Sequence, residues 1–395
     1  MELILDLGRQ PLANNLLRPE DRAKPEPKFP LRLFACCTCS LLQLADLVPP
    51  VQLFSEYLYC SSFSDAMLRH AQAAAERYLR EFALGAQSRV VEIASNDGYL
   101  LQHFQRVGVP CLGIEPAANI ARVAQDKGIE TLVRFFTEEA ARELVASGGP
   151  ADLVLGNNVF AHAPDTNDFT AGLARLLKPG GRVILEFPYA AELIERTEFD
   201  TIYHEHVFYF TLTALQPLFG RHGLEIFHVE RLPIHGGSLR VFARHRNTGP
   251  IGASVANLLA DERWKGIADS GYYQGFADRA QRIKVDLLAL LKRLKSEGRS
   301  VAAYGASAKG STLLNFVGLG RETLDFVVDR SPYKQGRLTP GRHLPILPVE
   351  ELVARMPDYA LLLTWNFAEE ILQQQQAYRS RGGQFIIPVP QVAVI

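Results

Sequence analysis

The chain has 395 residues, with 42 Lys and Arg against 43 Asp and Glu. That length points to two or three domains, and the balanced charge excludes a dedicated nucleic-acid or membrane-surface binder. No apolar run approaches the roughly 20 residues of a spanning helix, and MELILDLGRQPLANN carries no basic region ahead of an apolar core, so a cytoplasmic protein with no obligate protein partner is expected.

Residues 1–65 read as a small irregular domain. Proline is frequent, helical periodicity is absent, and the apolar runs at 2–7 and 30–34 suit a small sheet. Five cysteines in a chain this long argue against a disulfide scaffold. Cys36 and Cys39 in FACCTCSLL have the C-x2-C spacing of half a zinc knuckle. A structural zinc needs four ligands, and no second C-x2-C exists. Tyr57, Tyr59 and Ser61 then gather hydroxyls on a loop, either as half-buried packing or as part of an active site. Ser64 or Asp65 caps a helix running through about Phe82.

Residues 88–188 alternate strand and helix patterns, the rhythm of a doubly wound α/β sheet. The first strand–loop–helix unit, VVEIASNDGYLLQHF, presents backbone N–H groups to a ligand. Only Gly98 is glycine, so a dinucleotide fingerprint is absent. Glu92 and Asp97 suit a cationic amino group better than a pyrophosphate, and Glu115 in GIEP sits where a carboxylate takes ribose hydroxyls. This is the pattern of S-adenosylmethionine (SAM) enzymes. The donor set expected is Glu92, Ala94, Asn96, Asp97, Gly98, Glu115, Pro116, Phe136 and Asn157. His162 follows Asn157 and Asn158 at the carboxyl end of the fourth strand, the ligand-facing rim of such sheets.

The run FDTIYHEHVFYF, residues 199–210, has strand-like propensity and concentrates proton-transfer groups. An extended run puts Tyr203 and Glu205 on one face and His204 and His206 on the other. A tight bend brings all four to one mouth. Residues 211–248 read as a helix end and then strands, interrupted by the turn His235-Gly236-Gly237-Ser238, where glycines admit a ligand or a hairpin. Residues 251–298 are helical.

A second α/β unit follows. In VAAYGASAKGSTLLNF, Gly305, Ser307 and Lys309 offer N–H groups, a hydroxyl and an ammonium to a diphosphate. The spacing is not that of a P-loop. Asp329 ends a strand, Lys334 and Arg337 lie in a Gly/Pro loop, and Trp365 and Asn366 end the last strand of the pattern.

With these motifs in place the chain resembles the SAM-dependent nucleotide-sugar C-methyltransferases of branched deoxysugar biosynthesis. DLGRQPLANNLL, CCTCSLLQL, VEIASNDG, NNVFAH, FDTIYHEH, RLPIHGGSLRV, YGASAKGSTLLNF and LLLTWNFAEEI carry the resemblance over nearly the whole chain. It implies three domains: a small zinc-domain-like unit at 1–65, a SAM-methyltransferase domain at 66–248 and a Rossmann-like nucleotide-sugar-binding domain at 249–395. It implies that Tyr203, Glu205, His206, His162 and Tyr57 carry the chemistry. Tyr59, Ser61, His235, Gly236, Gly305, Ser307, Lys309, Asp329, Lys334, Arg337, Trp365 and Asn366 would hold the nucleotide-sugar. The reaction implied is methylation at C3 of a TDP-4-keto-deoxyhexose: His206 removes the proton beside the ketone, Glu205 orients it, and Tyr203 and His162 donate to the enolate oxygen. Two departures stand out. The family's first C-x2-C, ahead of DLG, is missing here, leaving Cys36 and Cys39 as a half-site for zinc and a metal-free domain as the alternative. Ala94 also replaces the usual glycine. Two rivals follow from the residues: a metal enzyme using His204 and His206, and a non-catalytic binding homologue.

Overall fold

A computed structural model of the chain describes residues 1–54 and 58–395. The expected catalytic Tyr57 lies outside the described residues. Strands β1 (Glu2–Pro11), β2 (Lys28–Ala35) and β3 (Leu42–Leu44) form an antiparallel meander. Its buried positions, such as Leu31 and Leu33, alternate with partly exposed ones, as one covered face requires.

The helix Asp65–Glu81 starts as the sequence predicts, with the Ser64 side chain accepting from the Met67 N–H. Met67, Ala71, Ala74, Ala75 and Tyr78 make its buried stripe. The next strands are β4 (Val90–Ile93), β5 (Cys111–Ile114), β6 (Thr131–Leu132), β7 (Ala151–Asn157) and β8 (Leu177–Pro188). A short β9 (Phe208–Tyr209) leaves this unit and pairs with β3 in the first sheet. β10 (Leu224–Leu232) and β11 (Ser238–His245) return to it as an antiparallel hairpin.

The second sheet has the order β6-β5-β4-β7-β8-β11-β10. β4 to β8 are parallel neighbours, and β11 joins β8 antiparallel. From β4 the chain builds outward to β6 and then returns to β7 on the other side, which leaves a crevice at the carboxyl ends of β4 and β7. This is the doubly wound sheet that the sequence pattern of 88–188 predicts. All four residues of β4 are buried, as expected of a central strand covered on both faces.

The third sheet contains β12 (Val301–Tyr304), β13 (Val327–Val328), β14 (Ile346–Leu347), β15 (Tyr359–Leu362), β16 (Gln384–Ile387) and β17 (Ala393–Val394). Its order, β14-β13-β12-β15-β16-β17, is parallel except for the last pair and makes a second Rossmann-like unit with its own switch point between β12 and β15. The helix Phe276–Ser296 precedes it and buries Phe276, Ile283, Leu287, Leu291 and Leu294. The first sheet shares one core with this unit: Leu33 and Leu42 belong to the same buried cluster as Leu287, Leu313 and Leu314.

Candidate active site

A cavity of about 700 Å³ opens where the carboxyl ends of β4 and β7 face those of β12 and β15. Ala94 and Asn157 line it from the methyltransferase sheet, Gly305 and Thr364 from the C-terminal one, and Asn14 from the N-terminal unit.

The stretch 199–210 is not the strand its propensity predicts. It forms a 3-10 turn at Phe199–Thr201, bends at Tyr203–His206 with the His206 N–H on the Tyr203 carbonyl at 2.9 Å, and pairs only at its end, through β9 and a bridge from Phe210 to Tyr189. The bend defeats the two-face division. Tyr203 and His206 both reach the cavity, with Tyr203 Oη 2.6 Å from His206 Nε2. His206 Nδ1 lies 3.1 Å from the Thr201 carbonyl. A carbonyl only accepts, so Nδ1 carries the proton and Nε2 accepts from the tyrosine hydroxyl. Burial first, then His162 and Lys309, hold His206 well below the usual histidine range, so the ring is neutral. His162 stands edge-on to it, ring centroids 4.8 Å apart, and burial lowers its own pKa to about 4.

Glu205 does not orient His206. Both its oxygens lie 2.8 Å from the Asn14 side-chain amide, and it does not line the cavity. The orienting group is the Thr201 carbonyl. His204 points elsewhere again, its Nε2 3.1 Å from the Pro30 carbonyl and its ring against Phe29. The metal pair His204/His206 is therefore split between two environments. Among the described residues no three His, Cys, Asp or Glu side chains gather as metal ligands.

On the donor side, Ala94, Asn96, Glu115, Pro116, Phe136 and Asn157 line the cavity. The Glu115 carboxylate accepts from the Asn96 N–H at 3.0 Å and the Ala117 N–H at 2.9 Å, and burial pushes it up to about 7. Three expected donor residues do not line the cavity. Glu92 is fully buried, its oxygens meet no hydrogen-bond donor, and burial, Asp97 and Glu115 hold its pKa well above the carboxylate range. Asp97 pairs with Lys127 at 3.2 Å. Gly98, at φ +76°, packs where Ile129 occupies the space of a Cβ. The N-terminal loop closes this side: the Asn96 side chain accepts from the Ser61 N–H at 2.9 Å and donates to the Tyr59 carbonyl at 3.1 Å. Tyr59 and Ser61 both line the cavity.

On the C-terminal side His235, Gly305, Ser307, Lys309, Asp329, Lys334 and Asn366 line the cavity. Gly236, Trp365 and Arg337 do not. Gly236 lies against the Glu198 carboxylate, and Trp365 donates its Nε1–H to Asp200 at 2.7 Å. Arg337 borders a separate depression with Asn119 and Tyr333. The loop after β12 is not the open cradle its small residues suggest. The Gly305 N–H bonds the Val328 carbonyl, Ala306 N–H the Asp329 carboxylate at 2.7 Å, and Gly310 N–H the Ser307 hydroxyl at 3.0 Å. Lys334 is engaged as well, donating to the Ala306 carbonyl at 2.9 Å.

Comparison with known proteins decides the family. Residues 1–54 match a putative zinc binding domain, 67–229 a methyltransferase domain, and 233–390 a C-methyltransferase C-terminal domain. The chain is 39% identical over 393 residues to C-methyltransferase NovU of Streptomyces niveus, covering 99% of this chain and 94% of that one. The chain belongs to this C-methyltransferase family. A ubiquinone biosynthesis O-methyltransferase of Xanthomonas oryzae pv. oryzae is 30% identical over 102 residues, 25% of this chain and 43% of its own. Among solved structures, magnesium protoporphyrin IX methyltransferase from Synechocystis PCC 6803 with bound SAM overlaps 45% of this chain and 81% of its own, at 16% identity and TM-score 0.34.

As a C-methyltransferase the enzyme attaches a methyl group to carbon. No helix among the described residues is long and apolar enough to cross a membrane. For zinc, the match at 1–54 meets an incomplete set of donors. Cys36 and Cys39 interact with one another in the hairpin between β2 and β3, and no third ligand joins them among the described residues. Cys36 and Cys39 supply two of the four ligands that a structural zinc takes, and zinc enters no step below.

Several residues that shape the site escape sequence reasoning. Thr201 acts through its carbonyl, which any residue supplies. Asn14 lies 191 residues from the carboxylate it holds. The PLANN run contained the only available signal, a polar pair in an otherwise apolar turn.

Proposed function

We propose that this C-methyltransferase transfers the methyl group of SAM to C3 of a nucleotide-activated 4-keto-deoxyhexose carried on thymidine diphosphate, through an enolate. The observation that carries the reading is the Tyr203–His206 pair inside a cavity walled by a methyltransferase sheet and a second Rossmann-like unit. The division into 1–65, 66–248 and 249–395 gives the three parts their work: closing the site, holding the donor and holding the nucleotide-sugar.

The C–H beside a ketone is acidic enough for a positioned base. With Nδ1 on the Thr201 carbonyl, the Nε2 lone pair of His206 is the basic site. Tyr203 has committed its donor to that lone pair, so the two side chains act as one unit. The C3 proton passes to the tyrosine oxygen as the phenol proton passes to Nε2. The electrons left on C3 delocalise into the C4 oxygen, then form the new C–C bond as the S–CH3 bond breaks. A C-methyl ketone, S-adenosylhomocysteine and one proton result. The donor half of the cavity works by proximity, holding two substrates at attack distance. Glu115, Asn96 and Asn157 are the polar groups available to the donor, and Phe136 its apolar wall.

Deuterium wash-out tests this. The enzyme is incubated in D2O with TDP-4-keto-2,6-dideoxyhexose and S-adenosylhomocysteine, and the C3 proton is followed by NMR. Stereospecific exchange is expected, slowed about 10²-fold or more in His206→Ala and in Tyr203→Phe. Exchange at the wild-type rate in Tyr203→Phe rules out the paired base. No exchange at any pH by an enzyme that binds the sugar rules out enolisation and leaves a binding homologue.

A further inference from the structure

Removing a proton beside a ketone places a full negative charge on the sugar oxygen, and such charge is best met by donors already fixed in place. The catalytic stretch supplies little for this. Tyr203 spends its hydroxyl on His206, and His162 and His206, both held neutral by burial, bring no positive charge to that oxygen. Lys309 lines the same cavity and carries an ammonium.

We propose that Lys309 stabilises the enolate oxygen, in place of a phosphate, so that the C-terminal unit contributes to the chemistry as well as to binding. The inference rests on the enolate reading above. Lys309 is built into the catalytic stretch. Its Nζ donates to the His235 carbonyl at 3.0 Å and lies 4.7 Å from the centre of the Trp365 ring. Trp365 in turn donates to Asp200 at 2.7 Å, and Asp200 directly precedes Thr201, whose carbonyl holds His206. One turn along the Lys309 helix, the Thr312 hydroxyl donates to the Ile202 carbonyl at 3.2 Å. The first turn of Ala308–Val317 is thus docked on residues 200–202, against the proton-transfer pair.

Charge supports the same placement. Lys309 is near enough to His206 to depress its pKa, which keeps the base neutral and ready. It also opposes the rise that burial imposes on Glu198, to about 7, and Asp200, to about 6. A phosphate role has less to recommend it, because the amides of Gly305, Ala306 and Gly310 are already bonded to the Val328 carbonyl, the Asp329 carboxylate and the Ser307 hydroxyl.

Lys309→Met and Lys309→Arg separate the two roles. TDP affinity is measured by calorimetry, and C3 wash-out at saturating TDP-4-keto-2,6-dideoxyhexose with S-adenosylhomocysteine, below the melting temperature of all three proteins. The expected result for Lys309→Met is wash-out slowed about 10²-fold with TDP affinity within about threefold of wild type. Lys309→Arg keeps the charge and the stack on Trp365, and should stay within about tenfold of wild type in wash-out. The proposal is overturned if the Met variant exchanges like wild type, if it loses TDP affinity as much as it loses rate, or if the Arg variant is as slow as the Met variant. Failure of wild-type wash-out is a different result and strikes the enolate reading itself.

Discussion

Ala94 shows how one methyl group sits against the backbone of the donor loop. Its φ is +53°, in the left-handed region where glycine is at ease and alanine is strained. The strain costs on the order of 1 kcal/mol, partly offset by the lower unfolded-state entropy of alanine. Ala94→Gly is therefore expected to stabilise the enzyme by about 0.5 kcal/mol, read as a higher urea midpoint at unchanged slope. A lower midpoint would mean that the methyl packs usefully where it lines the cavity. At this scale the sequence was most legible where chemistry is unusual. Tyr203, His206 and His162 declared themselves by type and position, and the three do meet at the cavity. Glu92 and Asp97 are buried and do not line the cavity, because a residue's place in a strand–loop pattern does not reveal which way its side chain turns.

At the scale of elements, local propensity was a sound guide for segments that pack by periodicity alone. The helix from Asp65 and the parallel strands of the methyltransferase sheet lie close to where their patterns put them. It failed for 199–210, whose aromatic and β-branched residues suit a strand but serve here as buried anchors for a turn. Phe199, Ile202, Tyr209 and Phe210 are all nearly inaccessible. That turn is tethered from outside by Asn14, the side-chain donor to the buried carboxylate of Glu205. Burial pushes Glu205 from 4.5 up to about 7, with Asn14 opposing the shift. In the unfolded chain the carboxyl ionises from 4.5, whereas in the folded one it holds its proton until about 7. Stability is thus lost as pH rises between those values, because the folded state binds the extra proton. Glu205→Gln removes this liability while keeping an oxygen for Asn14. Its stability relative to wild type is expected to improve by on the order of 2 kcal/mol between pH 5 and pH 8. Thermal melts of both proteins at the two pH values check it. A difference independent of pH would show that Glu205 ionises normally in the fold.

Across the whole molecule, what the sequence withheld was the way its three sheets share walls. The N-terminal meander looked like a small appended domain, yet its apolar face completes a core with the C-terminal unit: Leu33 and Leu42 pack in one cluster with Leu287, Leu291, Leu313 and Leu314. Polar ties cross the same seam. The Ser311 hydroxyl donates to the Ala13 carbonyl at 2.8 Å, and the Gly341 N–H to Glu26 at 2.7 Å. Such contacts couple residues hundreds of positions apart and leave no periodic trace in either segment. They also bear on function, since Asn14 reaches Glu205 from this meander and Lys309 approaches the site from the helix that packs on it. If the core is shared, a cavity made on one side must weaken the other. Leu33→Ala removes a fully buried side chain from the meander and should cost about 2–5 kcal/mol. The two tryptophans provide the reporter. Trp264 is 84% exposed and changes surroundings little on unfolding, while Trp365 is wedged between Lys309 and Asp200 at the C-terminal end of the site. Urea unfolding followed by tryptophan fluorescence therefore reads the C-terminal unit. The expected outcome is that Leu33→Ala lowers this midpoint as much as Leu314→Ala does. A Trp365 transition that stays at its wild-type midpoint while the meander loses structure would mean that the two fold independently, and that the N-terminal unit holds its place over the cavity by surface contact alone.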